Sequence, residues 1–348
     1  MSGVQTLIVT EGDGDQRLDR WFRRLFAHIS QGQIEKMCRK GEIRVDGGRV
    51  KPATRLSAGQ AVRIPPLPDT GPPPSLPKPP RVTDADAKLI QSCVIYRDDH
   101  IIALNKPPGL PSQGGSKQTR HVDGLAEALC FGLEEKPRLV HRLDKDTSGV
   151  LLMARTRAVA ARLTDAFRSR ETRKIYWAVV AGVPHPKMGT LKWGLVKAPG
   201  HGARGEAEKM LCIHPSEVDS TPDAKRAATD YAVLQALGSR AAWVALVPVT
   251  GRTHQLRAHM AEFGHPVVGD GKYGGSGQDN LGDGWGAMLG GEISKKLHLH
   301  ARSISLTHPV TGKPLTITAP LPDHMARTWQ TLGLSENDVP DDPFEPEA

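Results

Sequence analysis

The chain is poor in the features that most readily betray a function. Its four cysteines, Cys38, Cys93, Cys130 and Cys212, stand far apart. They form neither a Cys-x-x-Cys pair nor a dense framework, which sets aside a disulfide scaffold and suits reduced thiols in a cytosolic protein. No apolar run approaches the roughly eighteen residues of a membrane span. The opening Met1-Ser-Gly-Val-Gln-Thr has no basic stretch leading into an apolar one, so no secretory leader is expected and a cytoplasmic location is. No Gly-x-Gly-x-x-Gly follows a strand-like run, and the glycine-rich stretch 269–291 lacks the Lys-Ser/Thr ending of a phosphate-binding loop. His-Glu-x-x-His is missing too, and His254 and His259 lie five apart, off a shared helical face. His141, His254, His298 and His300 are therefore expected to hold loops together, and neither a metal nor any other cofactor is expected.

An acidic excess is also lacking. The net charge is +8, and residues 17–65 carry all of it, with twelve Lys/Arg against four Asp/Glu. A basic patch this concentrated is the electrostatic footprint of a polyanion partner, although a solvated basic face has the same composition.

The 348 residues suit two domains. Residues 15–65 read as a small α/β module. Leu18, Trp21, Phe22, Leu25 and Phe26 trace one face of an amphipathic helix, with Arg17, Arg20, Arg23 and Arg24 opposite. Ser30 and Gln33 form a capping box for a second helix, with Ile34, Met37 and Cys38 inward and Gly41 at its end. Residues 43–50 predict two short strands around an Asp-Gly turn, and Ala61 to Ile64 predict another strand. The prolines of 66–88 predict an extended linker. Residues 89–328 mix short strands and helices without a βαβ period, so the class is α+β, with a mostly antiparallel mixed sheet and a central cleft. Residues 198–228 and 269–291 are expected to be loops. The acidic tail 336–348 is expected to be disordered.

The richest stretch is Leu139-Val-His-Arg-Leu-Asp-Lys-Asp-Thr-Ser-Gly-Val-Leu-Leu-Met-Ala154. Two apolar runs bracket a polar knot of His141, Arg142, Asp144, Asp146, Thr147, Ser148 and Gly149. Flanks of this kind plant a polar turn at the edge of a core, a common way to hold a reactive carboxylate on the floor of a cleft. An aspartate so placed could equally cap a turn.

His-Arg-Leu-Asp-x-x-Thr-Ser-Gly-x-Leu-Leu-x-Ala resembles the catalytic motif of the RluA-type RNA pseudouridine synthases. Further segments resemble that family's other motifs in the same order. They are Asn105-Lys-Pro-Pro-Gly109, Lys174-Ile-Tyr176 with the apolar run to Gly182, Thr250-Gly-Arg-Thr-His-Gln-Leu-Arg257, Gly264-His-Pro266 through Gly269-Asp270, and Leu297-His-Leu-His-Ala301. The resemblance covers roughly residues 90–325, and the helix–helix–hairpin module ahead of it resembles the S4 RNA-binding domain.

The resemblance implies an isomerase that needs no cofactor, flips a uridine out of its stack and re-attaches the base through carbon. Asp144 would be nucleophile or electrostatic stabiliser, acting at the sugar carbon or through elimination to a glycal. Arg257 would be its cation. Arg252, five residues away, would take a phosphate or structural role. Tyr176 would lie beneath the target base. Arg142 would enter the RNA stack, with His141 and Arg252 also on the RNA side. Arg39, Lys40, Arg44, Arg49, Lys51 and Arg55 would line a backbone surface. The implied partner is large-subunit (23S) ribosomal RNA and the chain is expected to act as a monomer. Val62-Arg-Ile-Pro-Pro66 and Gly114-Gly115-Ser116 lean towards RluC-type rather than RluD-type enzymes. Other readings are RluD-type or transfer-RNA specificity, an inactive S4-containing ribosome-assembly factor, and a metal-dependent nucleic-acid hydrolase.

Overall fold

The computed structural model describes residues 3–13, 16–67, 82–114, 120–169, 171–198, 209–274, 293–340 and 342–344. The chain divides into two compact units, Met1–Arg81 and Val82–Ala348.

The first unit runs β1 (Gln5–Ile8), α1 (Leu18–Leu25), α2 (Gln31–Lys40), β2 (Arg44–Val45), β3 (Gly48–Arg49) and β4 (Ala61–Ile64). Its sheet has the order β1-β4-β2-β3. The Ser30 hydroxyl accepts from the Gln33 amide, the Gln33 side chain accepts from the Ser30 amide, and Gly41 ends α2 in the left-handed region. Asp46 and Gly47 both take positive φ, 48° and 77°, the paired left-handed residues of a tight hairpin turn. Leu18, Trp21, Phe22, Ile34 and Cys38 meet Val45, Val62 and Ile64 in the core. Leu25 departs from the predicted face: α1 ends there, and Leu25 stays exposed while Phe26 turns in. Strand β1 was not foreseen; only its alternate residues are half-buried, too short a pattern to read. On the outer side, Arg63 of β4 lies opposite Arg44 of β2, which lies opposite Arg49 of β3. Three like charges abreast destabilise a bare sheet and suit an anionic partner.

The second unit opens with α3 (Asp84–Ser92), a hairpin of β5 (Val94–Arg97) and β6 (Ile101–Lys106), the short α4 (Val122–Leu125) and β7 (Arg138–Leu139). Then come β8 (Ser148–Ala154), α5 (Arg157–Ser169), β9 (Arg173–Ala181), β10 (Met188–Lys197), β11 (Met210–Ile213), β12 (Lys225–Leu237) and β13 (Ala241–Pro248). The unit closes with α6 (Gln255–Glu262), β14 (Leu299–Thr307), β15 (Pro314–Thr318) and α7 (Asp323–Leu332). Eleven strands form one sheet in the order β11-β10-β12-β13-β9-β14-β8-β6-β5, with β15 on β14 and β7 on β8. Among the described residues every pairing in this sheet is antiparallel except β14 with β8. Both faces are covered, so the run in β8 is apolar throughout. Val150 and Leu152 pack with Val159 and Leu163 of α5, while Leu151 and Met153 face Ile90 of α3. Likewise Val244 and Leu246 of β13 meet Leu256 and Met260 of α6, while Trp243 meets Trp329 of α7.

Three expectations are corrected. Residues 84–88, assigned to the linker, begin α3, which the Thr83 hydroxyl caps through the Asp86 amide; residues 68–81 of that linker lie outside the described residues. Part of the 198–228 loop is regular, because β11 and the start of β12 extend the sheet through β10; residues 199–208 lie outside the described residues, as do 275–291 of the second predicted loop and Gly115 and Ser116. The acidic tail is docked as far as Phe344. Arg302 pairs with Glu336 at 2.6 Å, Arg173 pairs with Asp342 at 2.7 Å, and Val339 and Phe344 join the α7 core. Two arginines thus hold carboxylates that composition alone assigned to solvent. Residues 341 and 345–348 lie outside the described residues.

Candidate active site

Residues 141–147 cross the end of the sheet between β7 and β8, and the backbone on both sides of Asp144 is tied down. The Ser112 hydroxyl accepts from the Leu143 amide at 3.0 Å and donates to the Leu143 carbonyl at 2.7 Å. The Lys145 carbonyl accepts from the Gly109 amide at 2.9 Å and from Lys106 Nζ at 3.0 Å. Lys106 is fully buried, and its other two bonds go to the carbonyls of Pro107 and Leu110, both at 2.9 Å. Burial draws its pKa down to about 7, against the pull of Asp146 and Asp144. The motif at 105–109 therefore acts on Asp144 indirectly, by fixing the loop that carries it.

The polar knot itself divides into structural and facing residues. His141 takes the loop-holding role expected of it. Its Nε2 accepts the Leu152 amide at 2.8 Å, its ring lies 4.7 Å from that of Phe167, and burial holds its pKa down at about 3. It is a neutral brace for the turn, and it also lines the cleft described below. Ser148 and Gly149 sit opposite His300 and Ala301 at the parallel pairing of β8 and β14. His300 Nε2 meets the Ala319 carbonyl at 3.2 Å, so Nδ1 accepts from the Ser148 hydroxyl at 2.9 Å. Gly149, at φ 107°, has no room for a Cβ: it would strike the Ala301 carbonyl. Arg142 is exposed and Asp144 half-buried on the loop's open side.

A cleft of about 800 Å³ opens there. Arg142, Asp144, Tyr176, Arg252, His254 and Arg257 all line it, with Phe167, Leu256 and Leu299 as apolar walls. Arg257, buried on α6, spreads its fork between two carboxylates. Nε and Nη2 donate to Asp270 at 2.7 and 2.8 Å, and Nη1 reaches Asp144 Oδ2 at 3.4 Å. Burial works against its charge, but the bonds to Asp270 and the nearness of Asp144 outweigh it, and the guanidinium is held more firmly protonated than usual. Asp270 is lowered by the same pair despite its burial, and it accepts the amides of Lys272 and Tyr273 as well. Tyr176, on β9, has its phenol pKa raised by burial and by Asp144. Arg252 reaches the cleft rim, and its Nε donates to the Arg226 carbonyl at 3.4 Å.

The turn before α6 is built around Gln255, whose side chain makes four bonds. It accepts from Thr250 Oγ1 and the Arg252 amide, at 2.6 and 3.1 Å. It donates to the Ala228 carbonyl and Thr229 Oγ1, at 2.8 and 3.0 Å. His254 next to it stands at φ 51° and lies 3.8 Å from Asp144 Oδ2. Its place beside the carboxylate was missed, as was the Asp270 partner of Arg257. Both arise from tertiary pairing; the only trace in sequence was their position within motifs already singled out.

A second cavity, of about 880 Å³, shares Arg257 and lies on the Asp146 side of the loop. Lys209, Lys272, Lys295 and Lys296 line it, so a cationic surface continues past the cleft. Among the described residues no three His, Cys, Asp or Glu side chains converge on a metal-sized site, and no helix is long and apolar enough to cross a membrane. In the first unit Arg39, Lys40, Arg44, Arg49, Lys51 and Arg55 are all exposed.

The family model described as RNA pseudouridylate synthase matches residues 100–262, and the S4 domain model matches residues 16–62. Ribosomal large subunit pseudouridine synthase C of Vibrio vulnificus is 34% identical over 341 residues, 95% of this chain and 98% of that protein. The protein of the same name from Rickettsia bellii is 36% identical over 89% of this chain and 96% of its own length, and that from Escherichia coli O157:H7 is 33% identical over 94% and 97%. Among solved structures, human RNA pseudouridylate synthase domain containing 4 superposes with a TM-score of 0.57 at 29% identity, covering 72% of this chain and 96% of that one. Human RNA pseudouridylate synthase domain containing 1 gives 0.50 at 25% identity, over 71% and 96%.

Proposed function

The chain belongs to the RNA pseudouridylate synthase family, in its RluA-type branch with an S4 domain, and from that premise we propose that it isomerises uridine to pseudouridine in large-subunit ribosomal RNA, in the cytoplasm. The names of the relatives supply the substrate. The observation that supports the chemistry is Asp144 on a loop anchored at residues 143 and 145, facing a cleft with Arg257 and Tyr176.

In this reading the exposed guanidinium of Arg142 takes the place of the extruded uridine in the RNA stack. The base enters against Tyr176, a neutral phenol whose ring can stack on a pyrimidine. Asp144 acts on the sugar as the N1–C1′ bond breaks, by attack at C1′ or by promoting elimination to a glycal. The base turns, C5 bonds to C1′, and the C5 proton leaves. Arg257 holds the carboxylate charged and aligned throughout, and Asp270 keeps that guanidinium from folding onto Asp144 entirely. The lysines of the second cavity take backbone phosphates beside the flipped nucleotide, and the arginine row of the S4 unit takes others.

Tritium release from RNA labelled at uridine C5 tests this, with ribosomal RNA from a strain lacking the protein. Wild type should release tritium in the presence of chelator, and Asp144→Asn should be slower by at least about 10³-fold, as for loss of a covalent or charge-stabilising group. Equal release by the two would remove Asp144 from the chemistry. Silence from wild type on naked RNA and on precursor particles would leave a binding protein.

A further inference from the structure

One hydrogen-bond chain in the cleft is not needed to explain the family's reaction, and it determines where a single proton sits. The Met210 amide donates to the phenol oxygen of Tyr273 at 2.8 Å. That oxygen also lies 3.0 Å from His254 Nδ1, with the two rings edge to face at 84°. If Nδ1 carried a hydrogen, the phenol oxygen would accept twice and its own hydrogen would have no acceptor in this chain of contacts. The arrangement closes when Tyr273 donates to Nδ1. The imidazole hydrogen is then on Nε2, and Nε2 is the atom 3.8 Å from Asp144 Oδ2. Burial favours the neutral ring, and the Arg257 and Lys272 cations favour it further against the Asp144 and Asp270 carboxylates. Burial likewise keeps the Tyr273 phenol protonated, with its pKa raised to about 12.

We propose that His254 is a positioning residue, a neutral imidazole locked by Tyr273 with its Nε2–H turned to Asp144, which together with Arg257 holds Oδ2 and leaves Oδ1 to meet the nucleotide. Arg257 and His254 both approach the same oxygen, from α6 and from the residue before it. The 3.8 Å separation is just beyond hydrogen-bond length, as is common before substrate engages, and a small shift of the carboxylate closes it. The backbone supports the assignment independently. His254 stands at positive φ, a conformation unfavourable for a side chain larger than glycine and often retained at functional sites, and the four bonds of Gln255 hold it there. The chain of contacts also ties β11, which begins at Met210, to the cleft.

The inference rests on the proposed isomerase activity for its kinetic part and on geometry alone for its tautomer, so the test has two arms. In the first, the full-length chain is labelled with ¹⁵N-histidine, and His254→Gln identifies the signals. At neutral pH His254 should show a protonated Nε2 and a bare, hydrogen-bonded Nδ1, and Tyr273→Phe should shift the Nδ1 resonance. A hydrogen on Nδ1, or a charged ring, would overturn the proposal. In the second arm, His254→Ala should lower kcat by about 10- to 100-fold, the scale of one hydrogen bond to a charged group, with KM for RNA within about two-fold. Tyr273→Phe should fall between, and His254→Gln, whose amide can still donate, should recover most of the loss with an unchanged thermal midpoint. Wild-type kcat in His254→Ala, or a loss confined to KM, would overturn it. If wild type releases no tritium from any RNA, the functional reading fails, and the nitrogen shifts still accept or reject the locked donor.

Discussion

Asp270 makes no predicted contact with substrate, yet its loss should be among the harshest single changes in the cleft. Asp270→Asn removes the carboxylate that takes two of Arg257's bonds and leaves a buried guanidinium with only Asp144 for charge. Breaking a buried pair from one side typically destabilises by about 3–5 kcal/mol. Urea titration should show that loss, and tritium release should fall as Arg257 swings onto Asp144. Retention of both within error would mean the pair contributes nothing to the site. The cations and carboxylates of this cluster were unequally legible. Asp144, Tyr176 and Arg257 stand in contiguous motifs, so a linear pattern points at each. Their supports pair at long range, Ser112 with Leu143 across 31 positions and Lys106 with Lys145 across 39, and no local pattern encodes such a bond. His141 was legible as a residue that holds a loop together. Its imidazole accepts the Leu152 amide, and it lines the cleft beside Arg142 as well.

At the scale of elements, the parallel pairing of β8 with β14 depends on one missing methyl. Gly149→Ala places a Cβ against the Ala301 backbone at φ 107°. Neither partner can yield, because both strands are buried on two faces. The variant should lose about 3 kcal/mol or more in chemical denaturation, from overpacking and backbone strain together. A midpoint equal to wild type would show that the junction relaxes. Strands with continuous apolar runs or clean hairpin turns, β5, β6, β8, β9 and β13, could be read directly. β10 and β12 could not. Gly189 and Gly194 dilute the first, and Gly194 is required where a Cβ would press on Val218. The second opens Lys-Arg-Ala-Ala, which carries helix propensity until the sheet overrides it. The docked tail was hidden likewise: acidity suggests disorder unless the waiting Arg173 and Arg302 are known.

For the molecule as a whole, charge and protonation give two expectations. The net excess of +8 lies in the S4 unit, where Arg63, Arg44 and Arg49 stand abreast. Replacing Arg44 and Arg49 by Ala should weaken binding to ribosomal RNA fragments uniformly across sequences, and flatten the plot of log affinity against log salt by roughly one per arginine. An unchanged slope would place the RNA elsewhere. In acid, four imidazoles act together. His141 and His300 are held down at about 3, and His259 and His298 at about 4, all chiefly by burial. Unfolded histidine titrates near 6.5, so between there and pH 4 the unfolded chain takes up protons that the folded chain refuses. Stability should be full above about pH 6.5 and fall steadily below it. Urea midpoints at pH 7 and 4.5 would show this, and equal midpoints would contradict it.

The sheet order β13-β9-β14-β8-β6 also governs how the molecule can be made. β14 begins at Leu299, and it lies between β9 and β8, strands that leave the ribosome far earlier. Until it arrives, the half carrying Asp144 and the half carrying Tyr176 and Arg257 each end in a bare strand edge. An unfinished nascent chain therefore has neither a closed cleft nor a protected core, and its two halves are open to mispairing with neighbours on the same polysome. The stretch of message encoding β14 acts as the latch of the enzyme, and premature termination before it should yield aggregates in place of a weakened catalyst.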